Sequence, residues 1–178
     1  YEKLSTDAKV MYLLKADDEG ALQISPEVFA GDKAVVILDK TTLYATMGGQ
    51  VCDSGIISND SLKATVTGVE KDNASKYLHT IEVTEGSIKA GDSVKVETDK
   101  ERRLSTCRNH TSTHILQAAL RSVLGDHVEQ KGSYVDSDRL RFDFTHFSAM
   151  TAEELQQVEA IVNEKIAENL TVRTDVMT

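Results

Sequence analysis

Tryptophan is absent from this 178-residue chain, proline occurs once and cysteine twice. Two cysteines, Cys52 and Cys107, are too few for the disulfide framework of a small secreted domain, so the sequence predicts a reducing, cytoplasmic compartment. No apolar run approaches the length of a membrane span and no signal peptide opens the chain, so we expect no contact with a membrane. The scarcity of proline is not accompanied by low complexity, and a hydrophobic content of 40% is sufficient for a buried core.

The chain also lacks an excess of positive charge, because its formal net charge is −9. This balance argues against a broad nucleic-acid-binding surface. Any contact with RNA would have to be local and use a cluster such as Lys100, Arg102, Arg103 and Arg108. A charged face in contact with solvent is the alternative explanation for these side chains.

The first half of the chain is rich in short, β-prone segments separated by turn signals. Val10, Tyr12 and Leu14 alternate as in a strand, and the continuous apolar run at 34–39 is typical of a central strand. Many short strands without a helix predict a small antiparallel barrel. The other strands are predicted at 64–69, 77–83 and 93–98. His79 lies on one of them and is interpreted as a solvated cross-strand residue rather than a ligand.

The composition changes near Thr98, and the charged run 99–103 is predicted to be a domain junction. A helix is predicted from 106 to 124, with Gly125 as its C-terminal stop. His110 and His114 lie four residues apart on this helix and therefore project from the same face. The helix is predicted to bury an aliphatic row on roughly the opposite face, formed by Leu116, Ala119, Leu120 and Val123.

The His110–His114 spacing allows two imidazoles to bind one zinc ion. An exposed or hydrogen-bonded histidine pair is the simpler alternative. A zinc protease is disfavoured, because Thr111 stands where that motif has its glutamate.

Two strands, at 128–135 and 139–144, are predicted after Gly125. In the second strand Arg141 and Asp143 point to the same side, which predicts an ion pair. His146 follows this strand and is interpreted as structural.

Thr151 and Glu154 form a capping-box pattern, which predicts the start of a second helix. A last strand is expected at 172–178, which gives this half an α+β pattern with helices on one face of an antiparallel sheet. The apolar residues that the second helix is expected to bury are Leu155, Val158, Val162, Ile166 and Leu170, with Met150 and Leu155 placed as a hydrophobic staple.

Four segments, in the same order, resemble the editing region of the alanyl-tRNA synthetase family. They are the glycine-rich segment 43–55, the histidine motif 108–121, and the segments 128–135 and 138–144. The sequence departs from the family pattern at Thr42-Leu43, where the family often has Pro-Phe, and at Met47, where serine is usual.

This resemblance implies a mixed fold in two domains. Residues 1–98 would form a small antiparallel β-barrel like the second domain of translation elongation GTPases. Residues 99–178 would form the N-terminal part of an α+β editing domain, truncated at its C-terminus. The two domains are expected to meet across a pocket, with the glycine loop facing the histidine helix.

The resemblance also implies a function. The family ligates alanine to its tRNA with ATP and magnesium, in an aminoacylation domain that this chain does not include. Its editing site hydrolyses mischarged Ser- or Gly-tRNA(Ala), because a pocket shaped for alanine excludes these rivals weakly. The partner would be the acceptor end of tRNA(Ala) with its aminoacyl ester. The site residues implied are the zinc ligands His110 and His114, the serine-reading Thr113, the pocket residue Gln130, and the loop glycines Gly48 and Gly49.

Two questions stay open on the sequence. Zinc could polarise the carbonyl or activate a bound water molecule, or it could only position the substrate. The chain could belong to a stand-alone trans-editing deacylase, or act as a non-catalytic tRNA-binding barrel. The family's further zinc ligands, spaced Cys-x-x-x-His, have no counterpart in this sequence, so we expect this segment alone to be inactive.

Overall fold

The computed structural model describes residues 3–17 and 19–173, which form two compact units. The first unit comprises the described residues up to Met47 together with Val51–Arg103, and the second comprises Gly48–Gln50 and the described residues from Leu104 onwards. The domain boundary predicted after residue 98 stays a prediction. In the described residues the elements of the first unit are the strands β1 (Ser5–Ala16), β2 (Leu22–Ile24), β3 (Glu27–Phe29), β4 (Lys33–Leu38), β5 (Gly55–Asn59), β6 (Leu62–Lys71), β7 (Tyr77–Glu85), β8 (Ser87–Lys89) and β9 (Ser93–Thr98).

Six of these strands close into an antiparallel barrel, in the order β1-β4-β7-β6-β5-β9. The sheet closes because β9 pairs with β5 on one side and with β1 on the other. Residues that point inwards alternate with exposed ones along β4, β6 and β9, as the strand period of two requires. The predicted small antiparallel barrel is thereby confirmed.

Strand β1 departs from the simple alternation that its sequence suggests. A register shift between Val10 and Tyr12 marks a β-bulge in the pairing with β4. Beyond it Leu13 becomes the buried residue, whereas Tyr12 is 53% exposed. One extra residue in a strand reverses the facing of every residue that follows, so the predicted Val10–Tyr12–Leu14 face does not exist.

His79 on β7 is a core residue, so its interpretation as a solvated side chain was wrong. It is fully buried, and its Nδ1 and Nε2 lie 3.1 Å from the Val36 carbonyl oxygen and 2.9 Å from Thr41 Oγ1. Burial lowers the pKa of His79, and the hydrogen bond with Val36 partly opposes that effect. Both ring nitrogens have partners inside the barrel, which makes a buried neutral imidazole tolerable.

The charged run 99–103 contains the start of a helix, and its predicted role as a domain junction stays a prediction. Helix α1 (Lys100–Leu124) already begins in it, six residues before the predicted start. Asp99 precedes the helix and accepts a hydrogen bond from Arg102 N at 3.0 Å through Oδ1, as an N-cap residue does. Arg103 is only 2% exposed and pairs with Asp53. For Arg103, both the RNA contact and the solvated face are therefore excluded.

The second unit contains most of α1, the hairpin β10 (Gln130–Val135) and β11 (Leu140–Phe144), and helix α2 (Ala152–Ala167). Ala119, Leu120, Val128 and Val158 form its buried core, with Leu116 and Val123 packed against them. The predicted aliphatic row of α1 is thus confirmed. The predicted ion pair is present on β11, where Arg141 Nε lies 3.2 Å from Asp143 Oδ2.

Helix α2 begins with the predicted capping box. Thr151 Oγ1 accepts from Glu154 N at 3.2 Å, and Glu154 Oε2 accepts from Thr151 N at 2.8 Å. Its predicted apolar face is wrong in part, because Leu155 and Ile166 are more than half exposed and Leu170 lies beyond the end of the helix. In this unit the core covers only the middle of that face, around Val158. Most of the strand expected at 172–178 lies outside the described residues.

Within the described ranges, neither helix combines the length and the apolar content that a membrane crossing requires.

Candidate functional site

The histidine pair lies on one face of α1, as the four-residue spacing predicts. The imidazole rings of His110 and His114 are stacked, with centroids 5.2 Å apart and planes inclined by 16°. His110 is half-buried and His114 is exposed. Partial burial, and secondarily the neighbouring His114, lower the pKa of His110 below its ordinary value. A lowered pKa favours the neutral imidazole, the form that binds metals.

Gln50 contacts this pair from a distant part of the sequence. Its Oε1 lies 2.6 Å from His110 Nδ1, across a separation of 60 residues. The Gln50 side chain is 1% exposed. Its backbone is held against β10, because Gln50 forms a parallel bridge with Val135 and Val135 N donates to the Gly49 carbonyl at 2.8 Å. The glycine loop therefore contacts the histidine helix through Gln50.

The two loop glycines have backbone conformations that favour glycine. Gly48 and Gly49 have φ values of +62° and +82°, in the left-handed region. A Cβ on Gly49 would lie 2.5 Å from the Ser133 carbonyl oxygen, whereas one on Gly48 would meet nothing within 4 Å. Gly48 is required for its backbone angle, and Gly49 for both its angle and its close approach to β10.

Ser133 connects the loop to the predicted pocket residue Gln130. Gln130 Nε2 donates to Ser133 Oγ at 3.2 Å, and Ser133 Oγ donates to the Gly48 carbonyl at 3.4 Å. Gln130 is exposed, so its amide remains accessible to a substrate. The structure thus brings Gln130 to the glycine loop, although 82 positions separate it from Gly48 in the sequence.

Thr113 is 7% exposed, and its Oγ1 donates to the Asn109 carbonyl at 2.9 Å. Asn109 in turn donates from Nδ2 to the Asp136 carbonyl at 2.9 Å. Because the hydroxyl proton of Thr113 is used within the helix, this residue can meet a substrate hydroxyl only as an acceptor.

The histidine pair fits a zinc ion as part of a ligand set. Both donors are imidazole nitrogens on one helical face, and the Gln50 contact supports His110 in the way that outer partners support metal ligands. In the part of the chain that the structure describes, no group of three or more His, Cys, Asp or Glu side chains is arranged for a metal ion. Zinc sites use three protein ligands plus water, or four, so the described residues supply only two members of such a set.

A model of the family described as tRNA synthetases class II (A) matches residues 1–102. The chain belongs to this family. Proteins similar to this chain include alanine–tRNA ligases of Acetivibrio thermocellus, 49% identical over 97% of this chain, and of Lysinibacillus sphaericus, 51% identical over 84%. Alanine–tRNA ligase 1 of Lachnoclostridium phytofermentans is 46% identical over 99% of the chain. The predicted resemblance to alanyl-tRNA synthetases is confirmed.

The chain spans only 16–20% of the length of these relatives. Its matched residues 1–102 contain the whole barrel and the glycine loop. The histidine pair lies beyond the matched range and within the similarity to the relatives that cover 97% and 99% of the chain.

The sequence did not single out three residues that take part in these contacts: Gln50, Asn109 and Ser133. Each lies inside a segment on which the family resemblance rests. The sequence therefore indicated the segments, but not the hydrogen bonds that these three side chains form. Gln50 directly follows Gly48-Gly49 and is the only glutamine in that loop, which is the one local signal that it carries. No pattern in the sequence connects it with a histidine 60 residues away.

Proposed function

We propose that this chain is the editing region of an alanyl-tRNA synthetase. In the complete protein it would hydrolyse the ester that joins serine or glycine to tRNA(Ala). The parent would ligate alanine to that tRNA with ATP and magnesium, in the cytoplasm. The relatives named above are alanine–tRNA ligases, which favours a segment of a synthetase over a stand-alone deacylase.

The observation that carries the editing proposal is the contact between Gln50 and His110. Through this contact the glycine loop touches the histidine helix. Ser133 links Gly48 of the same loop to Gln130 by two hydrogen bonds. A hydrolytic site needs groups that position a carbonyl and a water molecule together. Imidazole nitrogens, a backbone carbonyl and an accessible amide provide such groups in the second unit.

Each residue then has a separate task. His110 and His114 would contribute two zinc ligands, and bound zinc supplies either a polarised carbonyl or an acidic water molecule. Gln130 would hold the substrate ester or a water through its amide. Thr113 would accept a hydrogen bond from the serine hydroxyl of the wrong aminoacyl group. No hydrolytic step is assigned to zinc, because the described residues provide an incomplete ligand set.

The barrel supports the proposal by holding the two ends of the loop. Tyr44 and Asp53 pair through their backbones, since Asp53 N donates to the Tyr44 carbonyl at 3.0 Å. This hydrogen bond joins the two ends of the loop that contains Gly48 to Gln50. The alternative of a non-catalytic barrel would give the histidine pair no task.

The test is deacylation by the full-length synthetase that contains this segment. His114→Ala removes an exposed imidazole without opening the core, and Ser122→Ala on the same helix is the matched control. We expect His114→Ala to lose hydrolysis of Ser-tRNA(Ala) while alanine is still ligated to the tRNA. Hydrolysis that continues at the rate of the control would refute the proposal.

A further inference from the structure

Gln50 is a polar side chain buried to 1% exposure beside an exposed loop glycine, Gly48. Its backbone is fixed by the bridge to Val135 and by the hydrogen bond between Val135 N and the Gly49 carbonyl. A larger residue at Gly49 would push this backbone away from Ser133. The contacts with β10 therefore fix the backbone from which the Gln50 amide projects.

The atom that Gln50 presents to His110 determines where the imidazole proton lies. Oε1 of Gln50 is 2.6 Å from His110 Nδ1, and an amide oxygen can only accept hydrogen bonds. This contact is a hydrogen bond only when Nδ1 carries the proton. A neutral imidazole has one N–H, so Nε2 is left with a lone pair.

We propose that Gln50 is a positioning residue that holds His110 in the Nδ1–H tautomer and leaves Nε2 as the metal-binding nitrogen. The ligand role of Nε2 rests on the proposed function, whereas the tautomer does not. Gln50 acts through His110 and is not itself a catalytic residue. Outer partners of this kind fix the tautomer and orientation of histidine ligands in metal sites.

Nuclear magnetic resonance of the ¹⁵N-labelled 178-residue chain tests the tautomer directly. At about pH 8, well above the ordinary histidine pKa of ~6.5, long-range proton–nitrogen spectra distinguish Nδ1–H from Nε2–H. We expect the Nδ1–H form for His110 in the unchanged chain. Gln50→Leu, which keeps the approximate size but lacks the acceptor, should shift His110 towards the Nε2–H form.

Two further variants separate this effect from a change in folding. Gln50→Glu keeps an oxygen acceptor and should retain the Nδ1–H form. Gln157→Leu makes the same substitution at an exposed position of α2 and should leave His110 unchanged. If the amide spectrum shows that Gln50→Leu is unfolded, the proposal is judged from the unchanged chain and from Gln50→Glu. The Nδ1–H form of His110 in both of these proteins supports it. Nε2–H in the unchanged chain, or Nδ1–H retained in a folded Gln50→Leu, overturns it.

Zinc retention in the full-length synthetase tests the ligand role. Gln50→Leu should weaken zinc affinity, measured by competition with a chelator, about 10–100-fold, as loss of an outer partner does. Gln50→Glu should retain zinc, and an unchanged affinity in Gln50→Leu overturns the ligand role. Failure of the proposed function looks different: the unchanged enzyme would not hydrolyse Ser-tRNA(Ala), although the His110 tautomer would still depend on residue 50.

Discussion

Arg103, in the first turn of α1, forms a buried ion pair with Asp53, 50 residues earlier in the chain. The two side chains are 2% and 5% exposed. Arg103 Nη2 also donates to the Thr42 carbonyl at 2.7 Å, and Asp53 Oδ2 accepts from Tyr44 N at 2.6 Å. Each charge therefore has additional hydrogen-bond partners, as a buried pair requires to offset its desolvation.

Removal of one partner of this pair should be costly. Arg103→Met leaves the Asp53 carboxylate buried without its counter-ion, and such changes typically cost about 3–5 kcal/mol in the free energy of unfolding. Urea denaturation followed by barrel signals measures the loss. Lys95→Met, in the exposed pair with Glu97, is the control and should change little, since solvent screens that pair. The double variant Arg103→Met/Asp53→Leu should recover part of the loss, and a single variant as stable as the control would contradict the prediction.

The two loop glycines should differ in their response to alanine. Gly48→Ala should cost only the strain of a left-handed backbone, about 1–2 kcal/mol, because a Cβ there meets nothing within 4 Å. Gly49→Ala should cost more and displace the loop, because its Cβ would meet the Ser133 backbone. Denaturation of the second unit gives the energies, and the amide shifts of Ser133 and Val135 report displacement. Equal costs with unmoved shifts would show that the close approach at Gly49 is unimportant.

Thr113 is predicted to contribute to specificity for serine. Thr113→Val removes an acceptor for the serine hydroxyl, and a single hydrogen bond is worth about 0.5–1.5 kcal/mol, or roughly a 2–13-fold change in rate. In the full-length synthetase, hydrolysis of Ser-tRNA(Ala) should fall by this factor relative to Gly-tRNA(Ala). Thr113→Ser keeps the hydroxyl and is the matched control. Equal changes for both substrates would show that Thr113 does not read the hydroxyl.

The stability of the barrel should depend on pH through His79. Burial lowers the pKa of His79 in the folded state, so the unfolded chain binds the proton more readily. The contribution of neutral His79 to the free energy of unfolding is therefore complete above the unfolded pKa of ~6.5. It is lost as the pH falls towards the lower pKa of the folded state. Unfolding energies of the barrel at about pH 7.5 and 5.5 measure this slope around the ordinary histidine pKa. His79→Gln should reduce the slope, His114→Gln in the second unit should not, and a slope unchanged in His79→Gln would contradict the assignment.

The purified 178-residue chain is predicted to hold no tightly bound zinc. His110 and His114 are the two ligands that we assign, and two imidazoles should reach only a small part of the roughly 10–16 kcal/mol of a full structural set. Metal analysis of the tag-free protein measures the content. Stoichiometric zinc bound through His110 and His114 would mean that further ligands lie in this chain.

Local patterns predicted most of the regular structure. The continuous apolar run of β4 has the length of a strand, and the aliphatic row of α1 follows the 3.6-residue period that a helix imposes on a sequence that buries one face. The capping box at Thr151 is likewise a contact between residues three apart. For the candidate site, the sequence indicated residue types on a known motif, His110 with His114 and Gly48 with Gly49.

Only the tertiary structure decided which side chains are buried and which atoms meet. Arg103 reads as a surface charge in a basic run, but Asp53 lies beside it in the fold and makes its burial possible. His79 reads as exposed until both of its nitrogens find partners inside the barrel, and Leu155 reads as buried although the core does not cover it. Gln50 and His110 meet across 60 residues because β10 holds the loop, and such a contact has no trace in local periodicity. Burial and hydrogen bonding depend on neighbours in space, whereas sequence patterns report only neighbours along the chain.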